Sequence, residues 1–147
     1  MSKTEESLVL LKPDAIERGL CGEILRRLEA TELRLAEIRW VRFSLPLLNQ
    51  HYAELKKKNP SAFARGRTFF VGRDVIAVRV AGLNAITKIR TLVGPTDPLA
   101  APPGTVRGDL SNDSIASANE DERSVLNLVH ASDSPVSARR ELKLWFQ

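Results

Sequence analysis

Strand-like and helix-like stretches alternate along this chain, and that alternation leaves few architectures open. "SLVLLKP" reads as a short buried strand stopped by Pro13. "GLCGEILRRLEAT" follows, with Leu20, Ile24 and Leu28 at helical spacing. "RLAEIRWVRF" alternates imperfectly at period two, which puts Ala36, Ile38 and Trp40 on one face of a strand. Ser44 is placed to cap the next helix, with Leu45 and Pro46 in its first turn and "LLNQHYAELKKK" along it. "DVIAVRV" is β-branched and largely apolar, the mark of a central strand. "GLNAITKIRTLVG" is a helix closed by Gly94, and "LNLVHA" a fourth strand. "SPVSARRELKLWF" is a last helix, with Ser134 as N-cap, Pro135 at N1 and an apolar stripe of Ala138, Leu142 and Trp145. The expected order is β-α-β-α-β-α-β-α with a further helix before the third strand. That order suits an α+β sandwich of helices on one sheet.

The 147 residues fit one compact domain over 1–147, with no internal repeat and no linker between two cores. Two segments stand apart. "GPTDPLAAPPGTVRGD" holds four of the eight prolines and is expected to be a stiff irregular loop. "SNDSIASANEDERS", residues 111–124, is polar and acidic and reads as a surface insertion or a lid. No apolar run approaches the ~20 residues that span a bilayer, and "MSKTEES" has no apolar h-region. The single Cys21 has no internal disulfide partner, so a reducing, cytoplasmic setting is expected. A net charge of +4 and a pI of about 9.6 favour anionic ligands, whether nucleotides, nucleic acid or acidic surfaces.

"LNLVHASDSP" carries an apolar run straight into a histidine and then into small and polar residues. His130 there has two readings: a satisfied residue at the core edge, or a nucleophile at the mouth of a pocket. Histidine suits the second task. With an unperturbed pKa near ~6.5, one imidazole nitrogen is unprotonated and available at pH 7. A nucleophile that holds a group between two visits to one site gives covalent catalysis with ping-pong kinetics.

Three motifs carry a resemblance: "LVLLKPDAIERGLCGEIL", "GPTDPLAAPPGTVRGD" and "NLVHASDSPVSARRELKLWF". In this order and at this spacing they resemble the nucleoside diphosphate kinase family, and together they cover most of the chain. The resemblance implies a ferredoxin-like βαββαβ fold, an antiparallel four-stranded sheet covered by helices. It also implies transfer of the terminal phosphate of a nucleoside triphosphate to a nucleoside diphosphate through a phosphohistidine at His130. On the same resemblance Lys12, Arg90 and Arg107 match phosphate-binding positions, Thr96 a phosphate-contacting threonine and Asn127 a ribose-contacting asparagine. Glu141 matches the carboxylate that holds the other ring nitrogen of the histidine, Ser132 the serine near it, and Tyr52 an aromatic near the nucleophile. Phe63 is the candidate for stacking on the base, which suits a site that must accept any base. Taken one at a time, Lys12, Arg90, Arg107, Thr96 and Asn127 also read as surface salt bridges or loop hydrogen bonds, and Glu141 as an exposed helix residue pairing with Lys143 or Arg139.

Magnesium is implied as an ion carried by the nucleotide phosphates, without a dedicated metal site; Asp14 and Asp133 are expected to cap or orient backbone. The implied partners are ATP and other nucleoside tri- and diphosphates, together with copies of the chain in a homotetramer or homohexamer. Neither nucleic acid nor a membrane is an expected partner. Three features depart from the family pattern. Ala131 stands in place of the usual glycine, Leu126 in place of a common arginine, and 111–124 lengthens the chain between Arg107 and His130. The alternative is a non-catalytic nucleotide- or nucleic-acid-binding module on the same fold. The presence of His130 with Lys12, Arg107 and Glu141 argues for the enzyme.

Overall fold

The computed structural model describes residues 3–147. Strands β1 (Thr4–Leu11), β2 (Arg34–Arg42), β3 (Asp74–Leu83) and β4 (Val129–Ala131) form one antiparallel sheet in the order β2-β3-β1-β4. That is the strand order of a ferredoxin-like α+β sandwich. "DVIAVRV" lies within β3 and is central, paired on both edges. Helices α1 (Pro13–Glu17) and α2 (Cys21–Glu29) lie between β1 and β2, and α3 (Leu45–His51), α4 (Ala53–Lys58) and α5 (Pro60–Phe70) between β2 and β3. Beyond β3 come α6 (Ala85–Val93), a 3-10 turn at Pro98–Ala100, α7 (Val106–Leu110), α8 (Ile115–Glu120) and, after β4, α9 (Pro135–Trp145).

Strand alternation divides the core in two. Val9 and Leu11 of β1, with Ile76, Val78 and Val80 of β3, face α2 and α6 through Ile24, Leu28, Ala85 and Ile89. Their neighbours Leu8, Leu10, Val75 and Ala77 face the other way, onto Leu48 of α3, Phe63 and Phe70 of α5, and Leu142 and Trp145 of α9. Both faces of the sheet are therefore covered.

Local signals set the helix ends. Ser44 accepts from Leu47 N and Ser134 from Ser137 N, the expected N-caps. Gly94 ends α6 at φ 92°, and a Cβ there would meet Thr105 Oγ1 at 2.9 Å, so both conformation and space demand glycine.

Elsewhere the structure departs from the periodicity. Pro13 opens α1 instead of merely ending β1. The single helix expected over "LLNQHYAELKKK" breaks at Tyr52 (φ −107°, ψ 31°) into α3 and α4. The proline-rich stretch contains α7, capped by Thr105, so Arg107 stands in a helical first turn. A bulge at Ala36 interrupts the alternation of β2, and Ile38 and Trp40 lie 50% and 62% exposed on this edge strand. No helix among the described residues is long and apolar enough to cross a membrane.

Candidate active site

His130 pairs with Leu10 across the β1–β4 ladder, and paired residues share a face. Leu10 packs toward α9, so His130 points there too. Its Nε2 lies 2.9 Å from Glu141 Oε1. Ser132 Oγ donates to the same oxygen at 2.8 Å and accepts from Leu8 N at 3.1 Å. Glu141 sits in the buried stripe of α9, so this relay is enclosed by the core. A carboxylate accepts, which makes Nε2 the protonated nitrogen and leaves the lone pair on Nδ1. The His130 side chain is 22% exposed, and it lines a cavity of about 510 Å³.

Every residue nominated from the sequence except Ser132 lines that cavity, and Ser132 reaches it through Glu141. Lys12 follows β1 and is buried. Its Nζ donates to Asn127 Oδ1 at 2.6 Å and to the Val125 carbonyl at 3.2 Å. The amide of Asn127 donates in turn to the Thr96 carbonyl at 2.9 Å. Burial pulls the Lys12 pKa down to about 8 from 10.5, against the opposing pull of Asp14. Arg107 gives Nε to the Asn127 carbonyl at 3.0 Å, Nη1 to Gly94 at 2.9 Å and Nη2 to Val129. It braces the chain that leads to His130, and two of its five N–H groups remain for a ligand. Burial, followed by repulsion from Arg90, pulls its pKa down to about 10. Arg90 Nη1 lies 3.4 Å from the carbonyl of Ala131, next to the histidine. Burial, and then the charge of Glu141, raises the Tyr52 pKa, so its hydroxyl stays protonated.

The expected strand over "LNLVHA" shrinks to three residues because Leu128 takes φ 71° while fully buried. Its N–H goes to Asp14 Oδ2 at 3.0 Å, and its carbonyl accepts from Lys12 N at 2.9 Å. These bonds hold a conformation that a branched residue otherwise avoids. Ala131, by contrast, is not among the positive-φ residues. Its position does not call on glycine's freedom, and alanine there causes no backbone strain.

The far end of the cavity lies between α5 and α8. Phe63 and Gly66 of α5 face Ile115, Ala118 and Asn119 of α8, and Arg65 Nη1 donates to Asn119 Oδ1 at 3.0 Å. The insertion is a folded wall of the site. Ser114 caps α8, Asp97 Oδ1 accepts from Ile115 N at 3.3 Å, and Asp113 holds Arg123 through two bonds of 2.7 and 3.0 Å. The sequence signal for this helix was the cap alone, since its one turn and a half carries no apolar stripe. Phe70 belongs to the core, and Phe69 packs against it with Lys12 Nζ 5.3 Å from its ring.

Among the described residues no three of His, Cys, Asp and Glu converge as a metal site. Five cations line the cavity against the carboxylates Asp133 and Glu141: Lys12, Arg90 and Arg107, a set that fits phosphate oxygens, and Arg65 and Arg123, which are paired with Asn119 and Asp113. Asp133 is turned toward Ser137 and Ser134 at the start of α9, and those hydrogen bonds lower its pKa.

An oriented imidazole, a triad of cations and a slot ending in an aromatic ring define a phosphoryl-transfer enzyme acting on nucleotides. The model of the nucleoside diphosphate kinase family matches residues 5–147. Nucleoside diphosphate kinase of Rubrobacter xylanophilus is 45% identical over 142 residues, 97% of this chain and 98% of the relative. That of Mycobacterium tuberculosis is 44% identical over 144 residues, 97% of each chain. A solved structure described as a transition state mimic of the Borrelia burgdorferi enzyme with bound vanadate and ADP superimposes with TM-score 0.94. It shares 31% identity over 98% of this chain and 88% of that one. The chain belongs to the nucleoside diphosphate kinase family.

Proposed function

We propose that this enzyme moves the terminal phosphate of a nucleoside triphosphate to a nucleoside diphosphate by a ping-pong route through His130. Nδ1 attacks the terminal phosphorus, an N–P bond forms, and the P–O bond to the departing diphosphate breaks with its electron pair on oxygen. A second diphosphate then takes the phosphoryl group by the reverse path. Glu141, held by Ser132, keeps the proton on Nε2 throughout. Lys12, Arg90 and Arg107 meet the charge that spreads over the phosphoryl oxygens, and Tyr52 stays protonated as a donor beside them. Asn127 and Thr96 set the register of Lys12 and the sugar, and Phe63 stacks on the base. Magnesium would be held by the nucleotide's own phosphates, with no carboxylate of this chain assigned to it, and would supply neutralisation of their charge.

The observation that carries this reading is the Nε2–Glu141 hydrogen bond, which leaves Nδ1 directed into a cationic cavity. A pure binding module gives no reason for the Leu8–Ser132–Glu141 relay behind an imidazole. The domain spans 1–147 and works in the cytoplasm as a homotetramer or homohexamer, the exposed Trp40 and Ile38 of edge strand β2 marking one contact face. The test is initial-rate kinetics with ATP and varied diphosphates. Parallel double-reciprocal lines are expected; intersecting lines would replace the phosphohistidine with direct transfer in a ternary complex.

A further inference from the structure

His51 is the other histidine of the chain, and phosphoryl transfer as described leaves it without a task. It closes α3 and is 4% exposed. Its ring stands 4.7 Å, centroid to centroid, from the ring of His130 at an interplanar angle of 77°. Trp145 Nε1 donates to His51 Nδ1 at 3.0 Å in a buried hydrogen bond. An indole N–H can only donate, so the nitrogen it faces must keep its lone pair. The proton of His51 is then on Nε2. A second proton would set two N–H groups against each other in the core and leave both unsatisfied. Glu141 and Trp145 are one turn apart on α9, so a single helix side holds both imidazoles.

We propose that Trp145 and His51 form a charge-excluding brace for the nucleophile. Trp145 keeps His51 neutral, and the neutral ring fixes the plane of His130 beside it. One hydrogen bond to Glu141 leaves His130 free to tilt about that bond; the edge-to-face contact removes the tilt. When Nδ1 forms its bond to phosphorus the imidazole acquires positive character, and a cationic ring 4.7 Å away would oppose it. The ionisable groups around His51 are His130 on β4, Tyr52 beside it, and Arg140 and Glu141 on α9; Phe43 and Trp145 complete the enclosure. Burial, then the charges of His130 and Arg140, holds the His51 pKa well below the usual histidine value, in agreement with the geometry.

The inference rests on His130 as the phosphate carrier, and its test separates the two. With two histidines, the untagged full chain labelled with 15N gives two sets of imidazole signals. Trp145→Phe keeps the ring and removes the N–H. In that variant His51 is expected to take up its second proton at a higher pH than in the parent, while burial still holds it below the ~6.5 of a free imidazole. The rate of His130 labelling by γ-labelled ATP should gain an acid limb at the same pH, falling about tenfold per unit below it. The double variant Trp145→Phe/His51→Gln cannot charge and should lose that limb. His51→Gln alone, whose side-chain oxygen can accept from Trp145, should show no acid limb beyond that of the parent and a lower rate at every pH. A His51 that stays silent in Trp145→Phe, a labelling rate lowered equally at all pH values, or a limb that survives in the double variant would each overturn the proposal. If the parent protein takes no label at all, the carrier role fails instead, and the His51 titration still reports on the hydrogen bond.

Discussion

At the phosphate end of the cavity Arg107 gives three N–H groups to backbone carbonyls, and Asn127 ties Lys12 to Thr96; at the base end Arg65 and Asn119 share one hydrogen bond between two helices. On the proposed function, the first region is preorganised for a group that every nucleotide shares. The second offers an aromatic face and apolar neighbours, which bind a ring without reading its edge. Fixed cations also cost stability when buried, and both Lys12 and Arg107 show that cost in lowered pKa values. The molecule spends its rigidity where the chemistry is constant and leaves adaptability where the substrate varies.

Breaking the phosphate end should have the largest effect. Arg107→Met removes a cation and its three hydrogen bonds to backbone carbonyls, so kcat/KM is expected to fall more than about 100-fold and Tm to fall with it. Arg107→Lys should not rescue, because an ammonium cannot span three carbonyls and a phosphate. Enzyme assays with thermal melts check both.

Lys12 separates activity from stability. Its proton is lost as pH rises through about 8, so kcat/KM should decline above that pH. Between about 8 and 10.5 the unfolded chain holds a proton that the folded chain lacks, so stability contributed by this group rises with pH there. Lys12→Met should therefore lose activity about 100-fold or more while melting no lower than the parent at pH 7. A parent whose kcat/KM is flat to pH 10 would contradict the role of Lys12.

The base end should respond more mildly and evenly. Phe63→Ala is expected to raise KM about tenfold for ATP, GTP, CTP and UTP alike, with kcat little changed. A loss confined to one base would turn the contrast around. The smallest effect belongs to Asn119→Ala, which cuts the α5–α8 hydrogen bond: less than about fivefold in KM, since a single exposed bond is worth ~1 kcal/mol or less.

Much of this site was legible in the sequence because most of its residues lie in three stretches with strong local signals, Tyr52, Phe63 and Arg90 being the exceptions. Ser44, Gly94, Ser134 and Pro135 end their helices as written, and the strand–histidine–small-residue run located His130. What was hidden depends on contacts distant in sequence. Leu128 is driven to positive φ by Asp14 and Lys12, more than a hundred residues away, so no period could report it. The pairing of His51 with Trp145 spans 94 residues, and His51 sat in an unremarkable polar run. α8 had only a cap to announce it, and the break at Tyr52 goes with packing of its ring on His51 and on the distant Phe70.

The central claim is that one imidazole carries the phosphate between visits. Incubating the purified protein with γ-labelled ATP and no acceptor tests it directly. The account predicts one acid-labile, alkali-stable label on His130, discharged by added diphosphate and absent from His130→Asn. Label that persists in His130→Asn would contradict it.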